Sequence, residues 1–149
     1  MRTRFAVLSL LFALLTASAA AQSSAGARVG VSANPDQFYF GGQIETRPPL
    51  VDNLHFRPNV ELGVGDHATV IALNFELAYK FPTGQAWQPY VAAGPALIIV
   101  DTDRDTSSGG GFNFALGVEH RGGLFGELKT DIGEVYSPNF KIGIGYNFK

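Results

Sequence analysis

The sequence predicts an all-β fold of eight antiparallel strands that run up and down and close into a barrel. From Val70 to Phe81 every second residue is large and apolar, whereas most residues between them are small, polar or charged. Because successive side chains of a strand point to opposite faces, this segment is a strand with two different faces. The pattern recurs between turn signals, and 18 Gly, 12 Phe and 5 Tyr complete a composition typical of a β protein.

Residues 1–21 are expected to be a cleavable signal peptide. Arg2 and Arg4 form a basic start, an apolar stretch follows from Phe5 to Leu15, and three consecutive alanines provide the cleavage site. Residues 22–149 then form one domain. Since the chain has no cysteine, an exported domain must be held by a closed sheet or by lipid instead of disulfides. The excess of acidic over basic residues, 13 against 11, argues against nucleic acid as a partner.

Turn signals divide the domain into eight segments of strand length. Clusters of Pro, Gly, Asn and Asp mark the turns, as in Asn34-Pro35-Asp36, Pro48-Pro49 and Ser137-Pro138-Asn139. Strands of about 9–11 residues have the length that crosses a bilayer when tilted. The predicted strands are 27–33, 38–46, 54–64, 69–81, 89–100, 111–120, 124–133 and 139–148.

The alternation identifies an apolar face in seven strands. In chain order these faces carry Val29 and Val31; Phe38, Phe40 and Ile44; Phe56, Val60, Leu62 and Val64; Ile71, Leu73, Phe75, Leu77, Tyr79 and Phe81; Phe112, Phe114, Leu116 and Val118; Leu124, Leu128 and Ile132; and Phe140, Ile142, Ile144, Tyr146 and Phe148. The fifth strand is apolar on both faces. Because Pro95 in its middle lacks a ladder N–H, we predict a bulge near Gly94-Pro95.

The opposite faces carry ions and glycines. A barrel of about eight strands has room only for side chains, and an unpaired ion inside it would cost about 3–5 kcal/mol. An even charge count with small residues therefore fits a packed interior. The predicted interior ions are Arg28, Arg57, Lys80, Arg121, Lys129 and Lys141 with Glu45, Glu61, Glu76, Glu119, Glu127 and Asp131, and the predicted interior glycines are Gly30, Gly41, Gly63, Gly117, Gly143 and Gly145.

With the ions inside, the apolar face meets lipid, and the predicted fold is an eight-stranded transmembrane β-barrel. The reverse arrangement is a periplasmic lipocalin-like barrel whose Phe-rich face would line a cavity for a small apolar ligand. The bulky residues of 70–81 would overfill such a cavity. An antiparallel sandwich is a third possibility.

An aromatic girdle is predicted at one rim, where such rings lie at a membrane–water interface. Its members flank the turn at 82–89 or end the last strand: Tyr79, Phe81, Trp87, Tyr90, Tyr146 and Phe148.

Three segments together resemble a known family. They are the signal peptide, the segment Trp87–Gly94 (WQPYVAAG) that opens a strand after a turn, and the ending Lys141–Phe148 (KIGIGYNF). With these features the chain resembles small bacterial outer-membrane β-barrel proteins of the OmpA/OmpX-like class. The resemblance implies an outer-membrane location, both chain ends in the periplasm, and a C-terminal aromatic strand that the assembly machinery reads. It implies no single activity, since the class includes anchors, adhesins and lipid-modifying enzymes.

We find no catalytic constellation in the sequence. His55 and His120 are predicted on the lumen face, which would need a bulge beside Glu119. The His-x-Ser pattern of lipid-trimming barrel enzymes is absent, because Arg121 and Gly122 follow His120. The interior glutamates are expected to be salt-bridged and not a catalytic carboxylate pair. We therefore expect no catalytic residue, no bound cofactor and no metal ligand.

One acidic segment leaves cation binding open. Asp101, Asp103 and Asp105 alternate in a way that hard cations favour. An EF-hand loop would need Gly and Glu where Thr106 and Phe112 stand. A solvated hairpin tip is the favoured interpretation.

The expected function is that of a non-catalytic outer-membrane barrel with a structural or surface-interaction role. The alternatives are a periplasmic barrel that binds a small apolar ligand and a lipid-modifying outer-membrane enzyme. The expected partners are outer-membrane lipid, lipopolysaccharide and, during biogenesis, the barrel assembly machinery, and the sequence names no external partner. A barrel of about eight strands leaves no open channel. The ions expected to matter most for the architecture are Arg57, Glu61, Glu76, Lys80, Glu127 and Lys129.

Overall fold

A computed structural model describes residues 23–34, 36–47, 51–66, 68–134 and 140–148. The predicted signal peptide and the predicted turns at Pro48-Pro49 and Ser137-Pro138-Asn139 lie outside these ranges. Among the described residues, no helix is long and apolar enough to cross a membrane. The strands are β1 Ser24–Ala33, β2 Gln37–Glu45, β3 Leu54–Val64, β4 Ala68–Lys80, β5 Trp87–Thr102, β6 Thr106–His120, β7 Leu124–Gly133 and β8 Phe140–Phe148.

The eight strands form a closed antiparallel barrel. Each strand pairs with its neighbours in the sequence, and β1 pairs with β8. The predicted fold and all eight predicted strands are therefore confirmed. β5 and β6 are longer than predicted because a tight hairpin joins them, in which the Thr102 N–H donates to the Asp105 carbonyl at 2.9 Å.

The large apolar side chains lie on the outside of the barrel. Phe112 is 50% exposed and Ile144 is 60% exposed, whereas Arg57 and Glu76 on the opposite faces are completely buried. A charged lumen inside an apolar wall is the arrangement of a membrane barrel. The lipocalin-like and sandwich alternatives are therefore wrong.

The middle of β5 accommodates Pro95 without the predicted bulge. Asn74 pairs with Ala96 and Leu77 pairs with Ala93, so the β4–β5 register is the same on both sides of the proline. The backbone pairing between β4 and β5 is interrupted only where Phe75 and Glu76 lie opposite Pro95 and Gly94. At the neighbouring position, a Cβ on Gly94 would collide with the carbonyl of Phe75. A glycine thus allows the close backbone approach that replaces a bulge.

The two ends of the barrel differ in their charges. We call the end where β1 begins and β8 finishes the terminal end, and the opposite end, which holds the β1–β2, β3–β4, β5–β6 and β7–β8 connections, the loop end. Exposed carboxylates gather at the loop end: Asp36, Asp66, Asp101, Asp103, Asp105 and Glu134. Among the described residues exposed in the connections at that end, only Arg104 carries a positive charge.

Candidate functional site

The barrel interior holds the ions that the sequence predicts, with one exception. The buried members are Arg28, Arg57, Lys80, Lys129, Lys141, Glu45, Glu61, Glu76, Glu119, Glu127 and Asp131. The predicted interior position of Arg121 is wrong. The residue lies in the exposed turn after β6, where strand alternation no longer applies. Its Nη2 donates to the Gly84 carbonyl at 2.9 Å.

Two arginines cross the lumen between glutamates. Arg28 Nη1 lies 3.0 Å from Glu61 Oε1 and 3.0 Å from Glu127 Oε1. Arg57 Nη2 lies 2.8 Å from Glu76 Oε2 and 2.7 Å from Glu127 Oε2. Glu127 therefore joins the two arginines, and charge-assisted bonds of this length are strong in a dry interior.

Two lysines extend this network toward the loop end. Lys129 Nζ lies 2.9 Å from Glu61 Oε1 and 2.7 Å from Glu76 Oε1. Lys141 Nζ lies 2.6 Å from Glu61 Oε2 and 2.5 Å from Asp131 Oδ2. We call the connected set the central network. Its four basic and four acidic members balance in charge: Arg28, Arg57, Lys129 and Lys141 with Glu61, Glu76, Glu127 and Asp131.

A second ionic cluster lies toward the terminal end. Lys80 Nζ contacts the Glu45 carboxylate and lies 2.7 Å from Glu119 Oε2. The Nδ1 of His55 is 3.4 Å from Glu45 Oε1, so the predicted lumen position of His55 is confirmed. Two carboxylates thus share one ammonium group beside an imidazole.

Three interior aromatic rings occupy space that glycines leave free. Each ring lies opposite a glycine on the paired strand: Tyr39 opposite Gly30, Tyr90 opposite Gly117 and Phe125 opposite Gly145. A Cβ at any of these three glycines would collide with the ring. The rings also carry cations on their faces, with Arg57 4.8 Å from the Tyr90 centroid and Arg28 5.6 Å from that of Phe125. The sequence indicated interior glycines but not their aromatic partners, which the strand register supplies.

Five of the six predicted girdle residues lie on the outside of the barrel at the terminal end, and Tyr90 does not. Tyr79 and Phe81 contact each other with centroids 5.2 Å apart, and Tyr146 and Phe148 do so at 5.6 Å, all at the terminal end. Tyr90 lies inside the barrel instead, where its hydroxyl donates to Glu127 Oε2 at 2.7 Å. Its place in β5 gives it interior parity, which the sequence could not assign in a strand with two apolar faces.

An asparagine ladder, which the sequence analysis missed, runs along the inner wall from β3 to β6. Asn59 Nδ2 donates to the Arg57 carbonyl at 3.2 Å, and Asn74 Nδ2 donates to Asn59 Oδ1 at 2.8 Å. Asn113 Nδ2 then donates to Asn74 Oδ1 at 2.9 Å. This last bond passes over β5, which presents only Gly94 and Ala96 at that level. Only the register reveals that three asparagines from separate strands meet.

The interior turns apolar toward the loop end. Ile98 and Val100 of β5 are buried there against Val70 and Ala96. This cluster explains why β5 is apolar on both faces: one face meets lipid and the other fills the lumen.

The two histidines in the described ranges, His55 and His120, have no nucleophile among the partners that the structure shows. Glu119 points inward and His120 outward, so the predicted lumen position of His120 is wrong, and β6 alternates without a bulge. The His120 ring lies 4.8 Å from that of Trp87, and its Nδ1 accepts the Gly122 N–H at 3.0 Å. The interactions of the two histidines are thus with a carboxylate, an indole and a backbone amide.

The acidic segment at 101–105 stabilises its own hairpin. Thr106 Oγ1 donates to Asp101 Oδ1 at 2.5 Å, and the Thr106 N–H donates to Asp105 Oδ1 at 2.8 Å. In the described ranges, no group of three or more acidic, His or Cys residues is arranged to hold a metal ion.

Comparison with known proteins identifies the fold. No family model and no curated protein matches the chain. The N-terminal β-barrel domain of Pseudomonas aeruginosa OprF is similar over 85% of this chain and 96% of that one, with a TM-score of 0.66 and 18% identity. Neisserial surface protein A (NspA) is similar over 85% and 95%, with a TM-score of 0.64 and 17% identity. The outer membrane enzyme PagL is similar over 85% and 99%, with a TM-score of 0.56 and 12% identity. The chain therefore has the fold of small outer-membrane β-barrels, and its apolar outer wall fits that membrane.

Proposed function

We propose that this chain is a closed, non-catalytic outer-membrane barrel whose role is structural or lies in contacts at the cell surface. The observation that carries the proposal is the central network, whose ions come from β1, β3, β4, β7 and β8 and meet across the lumen. Tyr39 of β2 and Tyr90 of β5 fill space between them. A lumen filled in this way has no room for a substrate or an ion path.

The fold itself does not decide between anchor and enzyme, because PagL is an enzyme with a similar barrel. What supports a non-catalytic role is the environment of His55 and His120, the two histidines that the structure describes. His55 is held by Glu45 inside the barrel, and His120 packs on Trp87 at the terminal end. A Ser–His pair needs the two side chains within hydrogen-bond reach. Neither histidine is in that arrangement.

The two barrel ends suggest where partners bind. The terminal end would face the periplasm, where the assembly machinery would act on β8 during biogenesis. The acidic loop end would then lie at the cell surface, among lipopolysaccharide phosphates bridged by divalent cations. The apolar wall between the two ends would contact the lipid chains.

Two assays on the purified, refolded barrel test this proposal. In planar bilayers we expect no steady conductance above that of the bare membrane. After incubation with lipopolysaccharide or phospholipid, mass spectrometry should find every acyl chain in place. Steady conductance would contradict the closed lumen. Loss or transfer of an acyl chain that disappears in a His120→Gln variant would show a lipid-modifying enzyme.

A further inference from the structure

The asparagine ladder has a fixed direction. Its first acceptor is the Arg57 carbonyl, which can only accept, so Asn59 has to present its Nδ2 there. The Oδ1 of Asn59 then accepts from Asn74, and the Oδ1 of Asn74 accepts from Asn113. Turning one amide over would set donor against donor or acceptor against acceptor. The ladder must therefore end on the Oδ1 of Asn113.

The ladder and the central network together almost encircle the lumen. Asn59 and Glu61 lie two positions apart on the inner face of β3, where Glu61 Oε2 contacts Lys141 at 2.6 Å. Lys141 in turn contacts Asp131 Oδ2 at 2.5 Å. Asp131 is the register partner of Asn113. One run of bonds thus leads from Asn59 on β3 through β4 to β6, and another leads from Glu61 on β3 through β8 to β7, and the two runs end at the register partners Asn113 and Asp131.

Each of the two residues at this junction carries an acceptor without a hydrogen bond. Asn113 Oδ1 and Asp131 Oδ1 are both buried, and neither has a hydrogen-bond partner among the described residues. Asn113 is fully buried and Asp131 is 4% exposed. Paired residues on neighbouring strands have Cβ atoms about 4.5–5.5 Å apart, so one small group can reach both side chains.

We propose that this junction is a binding site for one water molecule, which donates one O–H to Asn113 and the other to Asp131. Two acceptors match the two donors of a water, and buried waters of this kind typically make two to four hydrogen bonds. A metal cation fits poorly, because hard cations take about six or more oxygen ligands. The central network is already balanced in charge, and Lys141 lies directly beside Asp131.

Water-to-amide cross-relaxation in a micelle-refolded sample tests the site. We expect a direct water signal at the side-chain NH2 of Asn113 and none at that of Asn74. Asn74 is the matched internal control, because it is equally buried and bonded on both sides within the ladder. Equal signals at both amides, or none at Asn113, would overturn the proposal.

A variant and a crystal provide independent checks. In Asp131→Leu one of the two acceptors is removed, so we expect the water signal at Asn113 to be lost while the unheated barrel keeps its gel mobility. A crystal soaked in rubidium should show ordinary solvent density at the junction. An anomalous rubidium peak there, or an Asn113 amide turned to donate to Asp131, would exclude the bridging water.

Discussion

Replacing Glu61 with Gln should destabilise the barrel more than any change of one surface charge. Its carboxylate lies 3.0 Å from Arg28, 2.9 Å from Lys129 and 2.6 Å from Lys141. Gln has nearly the same volume but no charge, so the four cations of the central network would then face three carboxylates. Removing one partner of a buried pair costs about 3–5 kcal/mol. Each of the three cations keeps one other acidic partner, so we expect a loss near the lower limit, about 3 kcal/mol.

The measurement is urea unfolding of the refolded barrel in lipid vesicles, followed by the mobility shift between unheated and boiled samples. The midpoint should fall at an unchanged slope, since the surface exposed on unfolding is the same. Asp103→Asn is the matched control. It removes the same charge from an exposed hairpin residue and should leave the midpoint unchanged. Equal midpoints for the two variants would refute the reasoning.

A double variant separates charge balance from packing. In Glu61→Gln with Lys129→Met the network again has equal numbers of acids and bases, and the lumen stays filled. Arg28 keeps Glu127, and Lys141 keeps Asp131. The double variant should therefore lose less stability than the sum of the two single variants, by about 1–3 kcal/mol. Additive losses would show that the buried charges do not compensate one another.

Three further changes probe the wall, the interior and the loop end. Phe75→Arg should cost about 2–4 kcal/mol of folding free energy in vesicles, since this exposed outer side chain faces the bilayer. A variant that stays folded in buffer without lipid would contradict the lipid-facing position of Phe75. Gly117→Ala should lower the free energy of unfolding, measured from the urea midpoint, by about 1–3 kcal/mol because its Cβ would displace the Tyr90 ring. Gly126→Ala, where a Cβ meets nothing within 4 Å, should leave it unchanged. Millimolar calcium or a chelator should leave the urea midpoint unchanged, because the carboxylates at 101–105 are not arranged as a metal site. A rise of the midpoint with calcium would show that these carboxylates bind the ion.

Sequence reasoning was sufficient for the strands and their faces, because a period of two relates each residue to its neighbours directly. That period is a local property, and it stops at the last residue of a strand. Arg121 was misplaced for this reason, since it follows the end of β6. His120 was misplaced because it was given the same face as Glu119, its neighbour in a strand that alternates regularly. Tyr90 was misplaced because both faces of its strand are apolar, so hydropathy carried no information about direction.

Which interior residues meet is a different kind of question. Arg57 and Glu127 are separated by 70 positions, and Asn74 and Asn113 by 39, yet both pairs are in contact. Those contacts depend on the stagger between strands and on the width of the lumen, which the composition of a single strand does not encode. The sequence could therefore list the interior ions but not connect them.

The buried ions also help to explain why the barrel folds in one register. A slip of one residue moves every side chain of a strand to the other face. In β4 such a slip would put Glu76 into lipid and Phe75 into a lumen that has no room for it, so the slip is costly on both faces. β5 lacks this protection over Val91–Val100, where both faces are apolar. Its position is instead fixed at Tyr90, whose hydroxyl reaches Glu127, and at Gly94, which alone permits the approach of the Phe75 carbonyl. Charge thus determines the register of most of the wall, and in β5 one hydroxyl and one glycine take over that role.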